Sequence, residues 1–376
     1  MDLINILNIN GLIPKLPIIQ GGMSVGISLD NLASAVANAG GIGVIGTAGI
    51  GLIENPQTRK VKEANMEGLK KVIRKVREKT NGIIGVNIMT VLTDYKELVK
   101  TAVKEEIDLI ISGAGLPLNL PEFVDKNSKT RLVPIVSSLK AAQVIFKRWW
   151  SKYNYIPDAF IVEGPKAGGH LGFKKINLEN PEFHLEVIVP QIVDFCEEIK
   201  REYNKEVPVI AAGGIDSPDK VKEIFSLGAK GIQVGTPFIA TKECDADIKF
   251  KEALINAKEE DIVIIESPVG LPGRAIKNKF IEDVSKGIKK PFKCPYHCIK
   301  TCNFVDAPYC IAQALLNAAK GNLDEGFVFS GKYGYKIDKI TSVKEVINYL
   351  FEVNEKKVKN LRQSFQDGEV LNKNLN

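Results

Sequence analysis

The stretch Val207–Phe238, VPVIAAGGIDSPDKVKEIFSLGAKGIQVGTPF, decides the fold. Two short apolar runs, VPVIAAGG (Val207–Gly214) and GIQVGTPF (Gly231–Phe238), flank an amphipathic helical pattern, and both lead into glycine. Apolar runs without polar alternation suit strands covered on both faces, and two of them joined by a helix form a unit of a parallel sheet. Asp216 or Ser217 suits the cap of the intervening helix and Pro218 its first turn. The turns at Gly213–Gly214 and Gly235–Thr236 leave backbone N–H groups free at one end of the sheet, where parallel barrels commonly hold a phosphate. Tight turns without a ligand are the plainer alternative.

Outward from this unit the same rhythm recurs. Candidate strands are Pro17–Gln20, Gly41–Gly46, Ile83–Met89, Leu109–Gly113, Leu132–Ser138, Ala159–Gly164, Val207–Gly214 and Gly231–Phe238, with amphipathic segments such as MEGLKKVIRKVREKT and DYKELVKTAVKEE between them. Eight alternations fit a (β/α)8 TIM barrel better than an open doubly wound sheet. The rhythm breaks after Phe238. Residues 1–240 are expected to form the barrel, and 241–335 an inserted smaller, mainly helical domain at its mouth, with Gly- and Pro-rich connections such as SPVGLPGRAIKN. Residues 336–376 return to the barrel: TSVKEVINYLFEVNEKKVKNLRQ carries a Thr/Ser cap followed by Glu345 and reads as the last outer helix, and Asp367–Asn376 as a frayed end.

Composition bounds the partners. A chain of 376 residues with 44% hydrophobic content builds a large core, which excludes general disorder. Its surplus of 51 basic over 45 acidic residues is slight, and runs such as Lys70–Lys79 and Lys286–Lys293 read as solvated faces, so no nucleic acid is expected. The N-terminus lacks the pattern of a secretory signal and no segment reaches 18 uninterrupted apolar residues, so a cytoplasmic protein with no membrane partner is expected. Six cysteines suggest no disulfide framework.

Three further strand ends carry chemistry. IIQGGM leaves the first strand through Gly21 and Gly22, which permits close approach to a flat ring. GVNIM places the Asn87 amide near the end of the third. VEGPKAGGHLGF sets Glu163 at the end of the sixth and Gly168, Gly169 and His170 in the loop beyond it. Alone, each also reads as a turn or a backbone-satisfying side chain. At one barrel mouth with the phosphate turns, His170, whose imidazole titrates near neutral pH, becomes the candidate proton-transfer group.

PIIQGGM, GVNIM, VEGPKAGGHLGF, PVIAAGGI and GIQVGTPF, in this order, resemble the FMN-dependent nitronate monooxygenase family, formerly 2-nitropropane dioxygenases, which shares a superfamily with enoyl-ACP reductase II. The resemblance covers Pro17 to Phe238, and SPVGLPGRAIKN extends it. It implies an FMN barrel with Gly22 and Met23 behind the isoalloxazine and Asn87 in contact with the cofactor. Glu163 and Gly168 would lie beside it, Gly213, Gly214, Gln233, Val234, Gly235 and Thr236 at the phosphate, and His170 would be the catalytic histidine. Two positions depart from the family: glutamine is usual at Glu163 and an acid at Lys166. FMN rather than FAD is expected, since no separate dinucleotide fingerprint follows a strand. The implied reaction is oxidation of a small alkyl nitronate with O2 to a carbonyl compound and nitrite. The alternatives are NAD(P)H-dependent reduction of an activated double bond, as in an enoyl thioester, and a nucleotide-binding barrel without redox activity.

CPYHCIKTCNFVDAPYC holds Cys294, Cys298, Cys302 and Cys310 with His297 between them. In a helix, three of these thiols would share a face. The spacing matches neither the paired knuckles of zinc ribbons nor the common ferredoxin run, and buried cysteines are the plainer reading, so no metal ligand is assigned.

Overall fold

Eleven strands organise the described residues: β1 (Ile18–Gln20), β2 (Gly43–Gly46), β3 (Ile84–Met89), β4 (Leu109–Gly113), β5 (Arg131–Val136), β6 (Phe160–Glu163), β7 (Gly169–His170), β8 (Val209–Ala212), β9 (Gly231–Val234), β10 (Ile262–Glu266) and β11 (Pro272–Ile276). The computed structural model describes residues 7–55, 57–288, 294 and 296–352. Part of the basic run at 286–293 and the expected frayed end therefore lie outside the described residues, as does the continuation of the last helix.

Eight strands form one parallel sheet in the order β1-β9-β8-β6-β5-β4-β3-β2. It closes where Gln20 N–H donates to the Ile42 carbonyl (3.0 Å) and Ile42 N–H to that of Ile18 (2.9 Å). The expected (β/α)8 TIM barrel is therefore the fold.

Alternation along each strand sorts the side chains into two layers. Ile19, Val44, Leu109, Ile111, Val133, Ile161 and Ile210 fill the barrel interior. Their neighbours Ile18, Ile45, Ile110, Leu132, Val162, Val209 and Ile232 pack outward against the helices. Both layers are buried, which is why the strands read as continuous apolar runs rather than alternating ones.

The last strand is shorter than expected: β9 stops at Val234, and Thr236–Ile239 begins a turn of helix with Pro237 in its first turn. Ser217 caps the helix Pro218–Ser226 by accepting from Lys220 N–H, while Asp216 pairs with Lys336 at 2.7 Å. The helix Val343–Leu350 opens with the reciprocal Ser342–Glu345 box and buries Val343, Ile347 and Leu350 in the outer barrel core.

The segment after the barrel contains helices Ile248–Ile255, Lys279–Ser285 and Ile311–Ala319, and also a β-hairpin that the sequence reading took for a connection. β10 and β11 pair antiparallel from Ile262↔Ile276 to Glu266↔Pro272, and β11 continues onto β7 through Gly273↔His170. The hairpin thus grips the loop that carries the histidine. Among the described residues no helix is long and apolar enough to cross a membrane.

Candidate active site

All twelve residues singled out from the sequence line one cavity of about 1260 Å³ at the C-terminal mouth of the barrel. On the first wall, Gly22 lies against Asn87: a Cβ at Gly22 would fall 2.3 Å from that of Asn87, so glycine alone lets β1 and β3 approach this closely. Met23 follows, held where its N–H donates to Ser28 Oγ at 2.9 Å and its carbonyl accepts from Ser28 N–H.

The opposite wall comes from the ends of β8 and β9. Gly213 and Gly214 have φ of +94° and +77°, which favours glycine at both positions. The N–H groups of Gly214, Gly235 and Thr236 have no acceptor among the described residues. They form a donor array suited to a phosphate. Thr236 contributes differently from its neighbours, because its Oγ1 accepts from Gly331 N–H at 2.9 Å and so fixes the loop Ser330–Gly334 over the turn. Val234 offers only backbone: its side chain packs outward and its carbonyl accepts from Gly21 N–H. Gln233 is buried, with Oε1 lacking any partner. An orphan acceptor does not suit a phosphate, which also only accepts, but it suits an N–H on a ring.

Glu163 ends β6 facing the cavity. Burial pushes its carboxyl up to about 7. His170 is pushed the other way, down to about 4, also by burial, so the expectation of an imidazole titrating near neutral pH is corrected: the ring is neutral throughout that range. Its Nε2 lies 2.7 Å from Ser267 Oγ, and its ring meets Phe329 edge-on at 5.0 Å. Ser267 Oγ also accepts from Val269 N–H at 3.4 Å, which holds the hydroxyl beside the ring.

Three contributors escaped the sequence reading. Ser267 holds the histidine. Arg274 on β11 is buried and donates through one nitrogen to the Pro165 (2.7 Å) and Ala167 (2.5 Å) carbonyls, clamping the turn that precedes Gly168. The loop Ser330–Gly334 completes the mouth, with Lys332 N–H donating to the Lys166 carbonyl at 3.1 Å. An arginine inside an apolar run was the available signal for Arg274; the other two depend on long-range pairing. Lys166, Lys174, Lys332, Lys336 and Lys339 also line the cavity, against Asp216, Asp338 and Glu345, and with Lys336 paired to Asp216 and Lys332 to Glu179 the rim keeps a slight cationic surplus.

Comparison with known proteins agrees with the barrel fold. A curated protein of Staphylococcus aureus (strain Newman), called a probable nitronate monooxygenase, is 28% identical over 306 residues, covering 72% of this chain and 78% of that protein. The solved structure of FabK from Thermotoga maritima superposes with a TM-score of 0.69 at 27% identity, over 93% of this chain and 96% of that one. A nitroalkane oxidase from Streptomyces ansochromogenes shares the fold, with a TM-score of 0.67 at 19% identity over 90% and 95% of the two chains. The family pattern described as nitronate monooxygenase matches residues 8–352, and the chain belongs to that family.

Proposed function

We propose that this oxidoreductase binds FMN and oxidises alkyl nitronates with O2 to a carbonyl compound and nitrite. The observation that carries the reading is the gathering, in one cavity, of a free N–H array, an orphan amide acceptor and a buried histidine. The residues fit FMN. Gly213, Gly214, Gly235 and Thr236 would hold its phosphate, Gly22, Met23 and Asn87 its ring, and Gln233 Oε1 would accept from a ring N–H. Glu163 and Gly168 would stand beside the ring. When bound, FMN supplies the electron-accepting group of the reaction.

The chain's own residues decide what the cavity receives. The lysine rim favours an anion. His170, neutral and oriented by Ser267, holds or orients that anion by hydrogen bonding. An imidazole whose pKa lies near 4 is a poor acceptor of a proton from carbon, so the site suits a substrate that arrives already ionised, as a nitronate does. The name of the curated relatives supports the same reading.

The likeness to FabK over nearly the whole chain favours a second reading, NAD(P)H-dependent reduction of an activated double bond of the enoyl-ACP reductase II type. Anaerobic mixing of the purified yellow protein with ethyl nitronate, NADH or NADPH separates the two. Bleaching of the flavin by ethyl nitronate alone supports nitronate oxidation. Bleaching only by a nicotinamide overturns it in favour of the reductase, and well-folded protein without flavin overturns both.

A further inference from the structure

The reading above gives the FMN phosphate to the turns at Gly213–Gly214 and Gly235–Thr236 and counts Lys166 only among the residues of the rim. The packing of the loop after β6 sets that lysine against the first of these turns. A Cβ at Gly213 would fall 2.9 Å from the Gly164 carbonyl oxygen and 3.0 Å from Ala167 N, so the two loops lie directly on one another. At Gly214 it would fall 2.8 Å from Lys166 Cβ and 3.1 Å from its Cδ. The aliphatic stem of the lysine therefore lies along the glycine whose N–H belongs to the free donor array.

The backbone that carries Lys166 has little freedom. Its carbonyl accepts from Lys332 N–H at 3.1 Å, Ala167 N–H donates to the Gly164 carbonyl at 3.2 Å, and Arg274 holds the carbonyls of Pro165 and Ala167 on either side. The loop Ser330–Gly334, tied to Thr236 Oγ1 through Gly331 N–H, sets the Tyr333 ring 5.7 Å from Lys166 Nζ. The side chain thus runs from Gly214 toward Tyr333 along the cavity wall, which all three residues line.

Charge separates this lysine from its neighbours. Lys336 also lies over the Tyr333 ring, at 4.3 Å, but Asp216 takes up its charge at 2.7 Å, and Glu179 does the same for Lys332 at 3.0 Å. Among the described residues Lys166 forms no ion pair; Glu186, which feels its charge, is bound to Lys220. An aromatic face at this distance is a weak partner for an ammonium, whereas a phosphate is a strong one.

We infer that Lys166 is a side-chain ligand of the FMN phosphate, its ammonium adding one full positive charge to the backbone donors of Gly214, Gly235 and Thr236. The inference rests on the FMN reading above. A phosphate monoester carries about two negative charges near neutral pH, and peptide N–H groups answer them with partial charges only. The packing on Gly214 and Tyr333 orders the lysine before the cofactor arrives, so little of its rotamer freedom remains to be lost on binding.

The test measures dissociation constants of FMN and of riboflavin, which lacks the phosphate, by equilibrium filtration on the full chain freed of flavin. Lys166→Met keeps an apolar stem without the charge. It should weaken FMN about ten- to hundredfold, the equivalent of one charge-assisted hydrogen bond, and leave riboflavin within about twofold. Lys166→Arg keeps the charge and should recover most of the FMN affinity. A Lys166→Met chain with the wild-type preference for FMN over riboflavin overturns this inference and leaves the FMN reading standing; a wild-type chain that binds neither flavin overturns both. Should Lys166→Met fail to fold, which loss of riboflavin binding would reveal, acetic anhydride labelling of the wild-type chain decides. FMN should shield Lys166 from acetylation, read by peptide mass mapping, and riboflavin should not; equal labelling with either flavin overturns the inference.

Discussion

Replacing Glu163 by glutamine and following FMN binding between pH 6 and pH 8 tests the electrostatics of the cavity. Burial holds this carboxyl neutral up to about pH 7, far above its ordinary value of 4.5, and the neutral form can donate a hydrogen bond as the family's glutamine would. About one-tenth of the wild-type sites are ionised at pH 6 and about nine-tenths at pH 8. If only the neutral form accepts the cofactor, the apparent Kd scales as one plus the ratio of ionised to neutral sites. It therefore rises about tenfold across this interval. Glu163→Gln stays neutral and should show no such rise. FMN's phosphate loses its second proton near pH 6, but that change acts on both proteins and cancels in their ratio. Titration of apoprotein by flavin fluorescence quenching measures both constants. The linkage has a second consequence: a raised carboxyl favours the fold most at low pH and loses that advantage as pH climbs through about 7, so the wild-type apoprotein should lose thermal stability relative to Glu163→Gln from pH 6 to pH 8. Parallel pH profiles for the two proteins would refute the reasoning.

Three other substitutions probe separate walls of the cavity. Gly235 has φ of −116° and a Cβ there would meet only Met23, so Gly235→Val should fold, yet bind FMN at least about tenfold more weakly by equilibrium filtration; unchanged affinity would move the phosphate elsewhere. His170→Asn should keep its flavin and lose about 10²–10³-fold in turnover, equally with preformed nitronate and neutral nitroalkane because its task is to hold the anion; a loss confined to the nitroalkane would make it a base after all. Ser267→Ala removes the 2.7 Å bond to the imidazole and should lower kcat/KM about fivefold, the equivalent of one ordinary hydrogen bond, with FMN affinity unchanged in the same filtration assay.

The sequence was most informative where one local rule decided the outcome. The βαβ unit around Ser217 and Pro218 needs only a buried strand, a cap and a glycine turn, and each is written within a few neighbouring residues. The same locality exposed the glycine turn after β8, because positive φ at Gly213 and Gly214 restricts the residue type. The hairpin β10–β11 was missed for the opposite reason. Its turn, SPVGLPG, carries the residues of an irregular connection, and its pairing with Gly169–His170 spans about a hundred residues of chain, which no local pattern encodes. Ser267 went unnoticed with it, since a serine in a turn signals nothing until the turn is known to face an imidazole. The pKa of His170 was likewise misjudged: residue type gives its starting value, whereas the apolar cover that depresses it comes from elements distant in sequence.

That cover inverts the usual order of two side chains. Free in water, an imidazole holds its proton to higher pH than a carboxyl. In this cavity Glu163 retains its proton up to about 7 and His170 has lost its own above about 4. Between those values both groups are neutral, so the only formal charges at the mouth belong to the rim, where lysines predominate. An anion entering from solvent meets attraction at the rim and no like charge within, and its arrival stabilises the protonated imidazole as well as the neutral carboxyl. The same inversion explains how glutamate can occupy a position where the family usually has an amide. Burial keeps its proton in place, so below neutral pH the group presents a donor and an acceptor rather than a charge, and above it a carboxylate.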